Sequence, residues 1–497
     1  MKTKGKSLDW RFITVGFVVV VLLSVLATLS SARMDNHGCT MLIVGKAATT
    51  DGSILVARNE DFSGNWAKHI IVVPGKTHKA EEVIKSATGF VCPQPSVTYK
   101  YVSAQDWDPT QGRFNEGGIN EYQVGVSATE SASQNDKAEE ADPVIETGIG
   151  ENIITALVLQ RAKTAKEGVK LVGDLVEEYG SSEIFGMAIG DPNEVWLLEV
   201  GGGHHWVAVR VPDNSYVVEA NALRIGEVNL SDTANFMGSA DLITFAETHG
   251  LYDSASGEPF DFAKAYGTAA DPAVRNYRRV WGGQHFLTPS AELDPEAKRY
   301  PLFLTPDEKI TPQRVMSVLR YHYQGTNYDT ETPAGQEERG IGISSTLESH
   351  VLQLRSWLPN PIGGVMWLSM SAPRTSVYVP YYSGITEVPL AYQLGTDEYD
   401  SKSAYWAFRT IASVVFTDFS EMAKDVQPAW EAFESREFAW QPTIEKVAVE
   451  LYDQDKILAA KFLTNYSNGL ALNALDKAFT LRKNLLSKLA GEASGAY

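Results

Sequence analysis

The stretch from Thr40 to Asn59 constrains this 497-residue chain more than any other. Thr40 to Ala47 is predominantly apolar, Thr49-Thr50-Asp51-Gly52-Ser53 carries turn chemistry, and Ile54 to Asn59 begins apolar again. Asp-Gly between two such runs predicts a hairpin, because its turn tolerates the positive φ that reverses two twisted strands. Folding back there sets Cys39, at the head of the first strand, opposite the segment from Arg58 to Asp61. A thiol would then face a guanidinium and a carboxylate without any long-range assumption. By themselves Arg58 and Asp61 read as a structural ion pair beside a hairpin; with Cys39 opposite, they read as catalytic partners.

Further strands are expected at His69 to Val73 and Gly118 to Ala128, and helices over Ile149 to Arg161 and Ala165 to Tyr179. Ile184 to Ile189, Val195 to Val200, His205 to Val211 and Tyr216 to Ala220 form a meander. Its turns include Asp191-Pro192-Asn193-Glu194 and Pro212-Asp213-Asn214-Ser215. A helix is expected from Asp271 to Val280, followed by a loop-rich middle. Strands return at Val365 to Ser369 and Ser376 to Val379, and the chain is mostly helical from about Tyr399. Strands, helices, strands and then helices predict a layered α+β protein rather than strict βαβ alternation. Repeats, low-complexity tracts and Pro/Ser-rich linkers are absent from the sequence, which favours one elaborated domain: a core over 39–390 with a helical extension, 391–497, packed on it.

The N-terminus reads as a separate segment. Lys2, Lys4, Lys6 and Arg11 precede an apolar run of 18 residues, Phe12 to Leu29, and Ser30-Ser31-Ala32 follows. Charge, apolar run and small residues in that order make an export signal over 1–32 with a short leader over 33–38. The run is also at the lower limit for a membrane-spanning helix, so anchoring through residues 12–29 is the alternative. Asn36-His37-Gly38 lacks the leucine expected before a lipidated cysteine. Removing residues 1–38 takes away five basic and two acidic residues and moves the net charge from −19 to −22. Such acidity argues against nucleic acid as a partner. The sequence does not fix the oligomeric state.

Other motifs carry little chemistry. Pro74-Gly75-Lys76-Thr77 lacks the upstream glycine of a phosphate loop, since Ile70 stands there. Gly148-Ile149-Gly150 is without the third glycine of a dinucleotide site. His204 and His205, adjacent on a strand, point to opposite faces, and no HExxH occurs, so no metal and no cofactor are expected. No GxSxG supports a serine hydrolase. The two cysteines, Cys39 and Cys92, could form one disulfide in an oxidising compartment. The position of Cys39 at the end of a discarded leader favours catalysis instead, with Cys92 as a buried small hydrophobe.

The opening block Cys39-Thr40-Met41-Leu42-Ile43-Val44-Gly45-Lys46, then Asp51-Gly52-Ser53, then Ala57-Arg58-Asn59-Glu60-Asp61-Phe62, resembles the C69 family of cysteine dipeptidases. These are relatives of the bile-salt hydrolases and penicillin V acylases. The resemblance continues through Gly118-Ile119-Asn120-Glu121-Tyr122, Glu146 to Asn152, Asp191 to Trp196, His204 to Ala208 and Glu219-Ala220-Asn221. It implies a four-layer αββα N-terminal-nucleophile hydrolase fold and a leader removed to expose Cys39. It implies that Cys39 supplies both thiol and α-amine, with Arg58 near the thiolate and Asp61 gripping the amine. Asn221 would be an oxyanion donor and Arg275 a second active-site arginine. Where the bile-salt hydrolases carry another oxyanion asparagine, this chain has Thr129-Glu130, which leaves that donor unassigned.

A thiol of pKa about 8.5 is a modest nucleophile until a nearby cation lowers that value. An α-amine, with pKa about 7.7–8.0, can take a proton near neutrality. The expected activity is hydrolysis of small peptides with a free amine by an exported enzyme. The alternatives are an amidase or acylase acting on non-peptide amides, and an uncleaved, membrane-anchored, non-catalytic surface protein.

Overall fold

The computed structural model describes residues 38–110, 112, 114–268 and 273–494. The expected export signal, most of the expected leader and the expected helix start at Asp271 lie outside these residues. Helix and strand are mixed in an α+β arrangement built on two large antiparallel sheets. The six-stranded sheet runs, in spatial order, Tyr216–Glu219, Thr40–Val44, Ile54–Asp61, Thr346–Leu354, Val365–Met370 and Tyr378–Tyr382. The eight-stranded sheet runs Phe236–Gly238, Trp206–Arg210, Val195–Val200, Phe185–Gly190, Gly125–Ser131, Asn115–Asn120, Tyr101–Asp106 and Lys68–Val73.

The predicted hairpin is present, with Thr40 opposite Asn59 and Met41 opposite Arg58. Every residue of Ile54–Asp61 is buried, so both faces of that strand lie inside the protein. Alternation sends Val56 and Arg58 one way and Ala57, Asn59 and Asp61 the other. The first face meets the eight-stranded sheet, whose strands Gly125–Ser131 and Phe185–Gly190 pack against it. The second face meets the helix Pro312–Leu319.

The helix Ala165–Tyr179 begins at Thr164, whose Oγ1 accepts from the Glu167 N–H at 3.2 Å. Its Val169, Val172 and Val176 are buried at helical spacing. With the helix Ile154–Arg161 it covers one face of the eight-stranded sheet. Against the six-stranded sheet pack Ala273–Leu287, Pro312–Leu319 and the C-terminal helices Ala404–Val415 and Lys456–Ser494. No helix among the described residues is long and apolar enough to cross a membrane.

Two expectations are corrected. Gly118 to Ala128 is not one strand but two, Asn115–Asn120 and Gly125–Ser131. The reversal is an asparagine turn: Asn120 Oδ1 accepts from the N–H of Tyr122 and Val124, and Gln123 takes a φ of 63°. The loop-rich middle contains Thr346–Leu354, a nine-residue buried strand paired with Ile54–Asp61. Its Glu348 and His350 disguise it, because they hydrogen-bond to each other at 2.9 Å while His350 Nε2 lies 3.0 Å from Ser127 Oγ.

Candidate active site

Cys39 stands at the head of the first strand of the hairpin. Continuing its two registers, from Thr40 opposite Asn59 and from Met41 opposite Glu219, brings it level with Glu60 on one neighbour and Asn221 on the other. Its thiol accepts a hydrogen bond from Arg58 Nη2 at 2.7 Å. Arg58 is wholly buried, and its guanidinium also reaches Glu116 at 2.8 Å, Glu130 at 3.2 Å and Glu151 at 3.7 Å. A planar fork of five N–H donors is what allows one side chain to serve a thiol and several carboxylates at once.

Sheet irregularities aim these groups. Glu130 would by alternation share the face of Val126 and Ala128, in the core beneath the helices. The strand shifts register between Ala128 and Glu130, and the extra residue Thr129 turns the Glu130 carboxylate to Arg58. A second shift leaves Glu116 as the extra residue between Asn115 and Gly117 and turns it likewise. A third, between Thr346 and Glu348, turns Thr346 Oγ1 onto Asp61 Oδ1 at 2.5 Å. Three bulges in three strands meet around one cysteine.

Asp61 leaves the strand on the opposite face from Arg58 and pairs with Arg339 at 2.7 Å. Arg339 also donates to the Gly38 carbonyl, and the Gly38 N–H donates to the Asp61 carbonyl at 3.1 Å. The Cys39 carbonyl accepts from Arg279, whose Nη1 lies 2.9 Å from Thr40 Oγ1 and whose Nη2 donates to Asn221 Oδ1 at 2.8 Å. Asn221 has a left-handed φ of 51°, and its amide donates to the Ser131 carbonyl at 3.0 Å. A Cβ placed on Gly38 would come within 2.5 Å of Asn221 Oδ1, so the residue before Cys39 runs directly over that amide. Arg275 is half-buried on the helix Ala273–Leu287, and the arginine that touches Cys39 is Arg279, one turn further along.

Burial sets the protonation states. It pushes the Cys39 thiol well above its ordinary value; Arg58 pulls it down, but Glu130, Glu60 and Asp61 add to the rise. Burial raises Glu130 to about 7 despite Arg58, and lowers Arg279 to about 9 with help from Arg339. Burial works against the charge on Glu116 too, yet Lys68 and then Arg58 hold it below the usual carboxylate range.

The carboxylates of Glu60, Asp106 and Glu116 converge closely enough to hold a metal ion. Lys68 occupies their centre, with Nζ 2.7 Å from Glu60, 2.8 Å from Glu116 and in contact with Asp106. A tethered ammonium already supplies the cation. His204 and His205 both approach Asp142, His205 Nδ1 at 2.7 Å. Cys92 is buried 3.4 Å from Arg161 Nη2, and both cysteines are free thiols. A separate cleft of about 760 Å³, between the helices Pro312–Leu319 and Phe419–Gln454, is lined by Arg320, Arg374, Trp430 and Glu434 and shares none of its lining with the Cys39 network.

Sequence inspection missed Arg279, Arg339, Glu116 and Glu151 as members of this cluster. Glu151 had a signal, since it falls inside the quoted block from Glu146 to Asn152. The others come from distant strands, a helix and a loop, with no local motif to mark them.

Comparison with known proteins places this geometry in context. The family model for Peptidase family C69 matches residues 38–432. A "Probable dipeptidase" from Salmonella dublin is 41% identical over 365 residues, covering 72% of this chain and 83% of the relative. A "Probable dipeptidase" from Latilactobacillus sakei is 35% identical over 390 residues, 77% of this chain and 82% of the relative. A "Probable dipeptidase B" from Streptococcus pyogenes serotype M1 is 30% identical over 486 residues, 95% of this chain and 96% of the relative. With a thiol at the strand head and a family match that starts one residue before it, this chain belongs to peptidase family C69, and it is a hydrolase of peptides.

Proposed function

We propose that the chain is an exported cysteine dipeptidase in which Cys39, freed from residues 1–38, supplies both nucleophile and base. The observation that carries this is the 2.7 Å hydrogen bond from Arg58 to the Cys39 thiol at the start of the matched region. The two sheets, each with helices packed against it, are read as the four-layer αββα fold of the N-terminal-nucleophile hydrolases. The relatives' dipeptidase names support the substrate class.

In this mechanism, cleavage after Gly38 releases an α-amine beside the Arg339–Asp61 pair, because the carbonyl bonded to that nitrogen already touches Arg339. The neutral amine takes the thiol proton, and Arg58 stabilises the resulting thiolate. Sulfur attacks the peptide carbonyl, forming the C–S bond. The oxyanion is held by Asn221, whose amide nitrogen carries a second N–H besides the one given to Ser131. Collapse breaks the C–N bond, and the α-ammonium protonates the departing amine. Water, deprotonated by the same α-amine, then hydrolyses the thioester.

Intact-mass analysis of exported, active protein should show an N-terminus at Cys39. Cys39→Ala should reduce dipeptide hydrolysis to background, whereas Cys92→Ala keeps most of it. Activity in a protein still carrying Gly38, or equal losses in both variants, would sink the mechanism.

A further inference from the structure

Arg339 is a buried guanidinium with donors to spare. Its side chain is 5% exposed, and one nitrogen, Nη2, serves both Asp61, at 2.7 Å, and the Gly38 carbonyl. Nε and Nη1 are buried without a hydrogen-bond partner among the described residues. Unpaired N–H groups on a buried charged side chain are costly, so the arrangement calls for an acceptor from outside the chain. The backbone that carries them is held in place. The Arg339 carbonyl accepts from Tyr323 Oη at 2.7 Å, and Tyr323 is wholly buried with its ring against those of Tyr321 and Trp281. Arg279, the other guanidinium on this side, hydrogen-bonds to neutral oxygens: the Cys39 carbonyl, Thr40, Asn221 and Asn276. Both guanidiniums would gain from an anion.

Gly38 marks where that anion would sit. Its carbonyl carbon is bonded to the Cys39 nitrogen, and its oxygen rests on Arg339 Nη2. In the mechanism above that nitrogen, once free, protonates the departing amine, so the two nitrogens come within about 3 Å of each other. In a dipeptide the C-terminal carboxylate carbon lies two bonds, about 2.5 Å, from the departing nitrogen. It therefore enters the space that Gly38 vacates, in front of Arg339. We propose that Arg339 receives the substrate's C-terminal carboxylate, which takes the place of the Gly38 carbonyl on Nη2 and adds a bond from Nη1. The inference rests on the dipeptidase mechanism above and supplies the group that measures substrate from its carboxyl end. A guanidinium offers a carboxylate two parallel charge-assisted N–H···O bonds. An amide, or the next peptide group of a longer chain, presents a single neutral carbonyl there.

The test compares alanyl-alanine with alanyl-alaninamide, in which an amide replaces the carboxylate. Wild-type enzyme should prefer the acid by at least about 10-fold in kcat/KM, the margin between a charge-assisted pair and a neutral bond. Arg339→Gln should lose activity on both substrates, because Asp61 loses its ion pair. Its acid-to-amide ratio should nevertheless fall to parity, with a raised KM for alanyl-alanine. A loss of structure alone would lower both rates and leave the ratio unchanged. Arg339→Lys keeps the charge without the planar fork and should give a ratio between the two. A wild-type enzyme indifferent to the carboxylate, or a wild-type ratio in Arg339→Gln, overturns the assignment. If Arg339→Gln does not mature, the lysine variant decides: a reduced ratio supports the assignment, and a wild-type ratio overturns it. A wild-type enzyme inactive on every dipeptide and dipeptide amide would instead refute the dipeptidase mechanism itself.

Discussion

The strand Ile54–Asp61 sends Arg58 to one side and Asp61 to the other, and the two sides of Cys39 carry opposite charge balances. On the Arg58 side one guanidinium faces Glu116, Glu130 and Glu151. On the Asp61 side one carboxylate faces Arg339, with Arg279 close behind it at the Cys39 carbonyl. The acidic side meets the sulfur, and the basic side meets the backbone at residues 38 and 39. In the mechanism proposed above the thiolate calls for a cation and the α-amine, itself the base, for a carboxylate nearby, and alternation along a single strand supplies the two separately. At the sulfur, acids from both sides oppose the arginine: burial raises the thiol, Arg58 lowers it, and Glu130, Glu60 and Asp61 add to the rise.

The largest effect that would sharpen this contrast is expected from Arg58. Arg58→Met leaves Glu116 and Glu130 buried without this partner, and breaking a buried pair of this kind costs about 3–5 kcal/mol. Turnover per folded molecule should fall by about 10³ or more, together with a lower melting temperature. Arg339→Met should cost less stability, since Asp61 keeps its bond from Thr346. Comparable losses of stability in the two variants would erase the distinction between the sides.

Asn221 comes next, because it touches the basic side through Arg279 and faces Gly38. As an oxyanion donor its loss should lower kcat by about 10²–10³. Its φ of 51° means that Asn221→Ala also brings backbone strain, which Asn221→Gly avoids. Both variants should lose kcat alike while only alanine loses melting temperature. A glycine variant with unchanged kcat would reduce Asn221 to a turn residue.

The smallest effect lies deeper on the acidic side, at Glu219. It projects between the sheets so closely that a Cβ on Gly186 would meet its Oε1 at 2.0 Å, and neither of its oxygens has a hydrogen-bond partner among the described residues. Burial, then Glu199, then Glu130 push its carboxyl well above the usual range, and burial holds Glu199 and Glu130 at about 7. Folded-state values raised above the unfolded ones mean that the native protein holds more protons, so stability falls as pH rises from about 4.5 to about 7. Glu219→Gln removes one of these protons from the balance. It should flatten that slope and raise the melting temperature at pH 8 by about 2 °C. A variant whose melting temperature tracks the wild type from pH 5 to 8 would show that Glu219 is not part of the titrating set.

The sequence by itself determined what chain neighbours decide. Asp51-Gly52 made the first hairpin and placed Cys39 opposite Arg58 to Asp61, and helical spacing gave Ala165–Tyr179 to the residue. Local patterns failed where polar side chains face inward. Thr346–Leu354 looked like loop because Glu348 and His350 satisfy one another inside the protein, and Asn120 concealed a turn within an apolar run. The charge environment of Cys39 was decided only by the tertiary structure. Arg279 and Arg339 arrive from a helix and a loop more than two hundred residues away. Glu116, Glu130 and Thr346 reach the site because one-residue bulges overturn the alternation that a sequence pattern assumes. A bulge is fixed by how two strands pair with their neighbours, and that information belongs to no single segment of the chain.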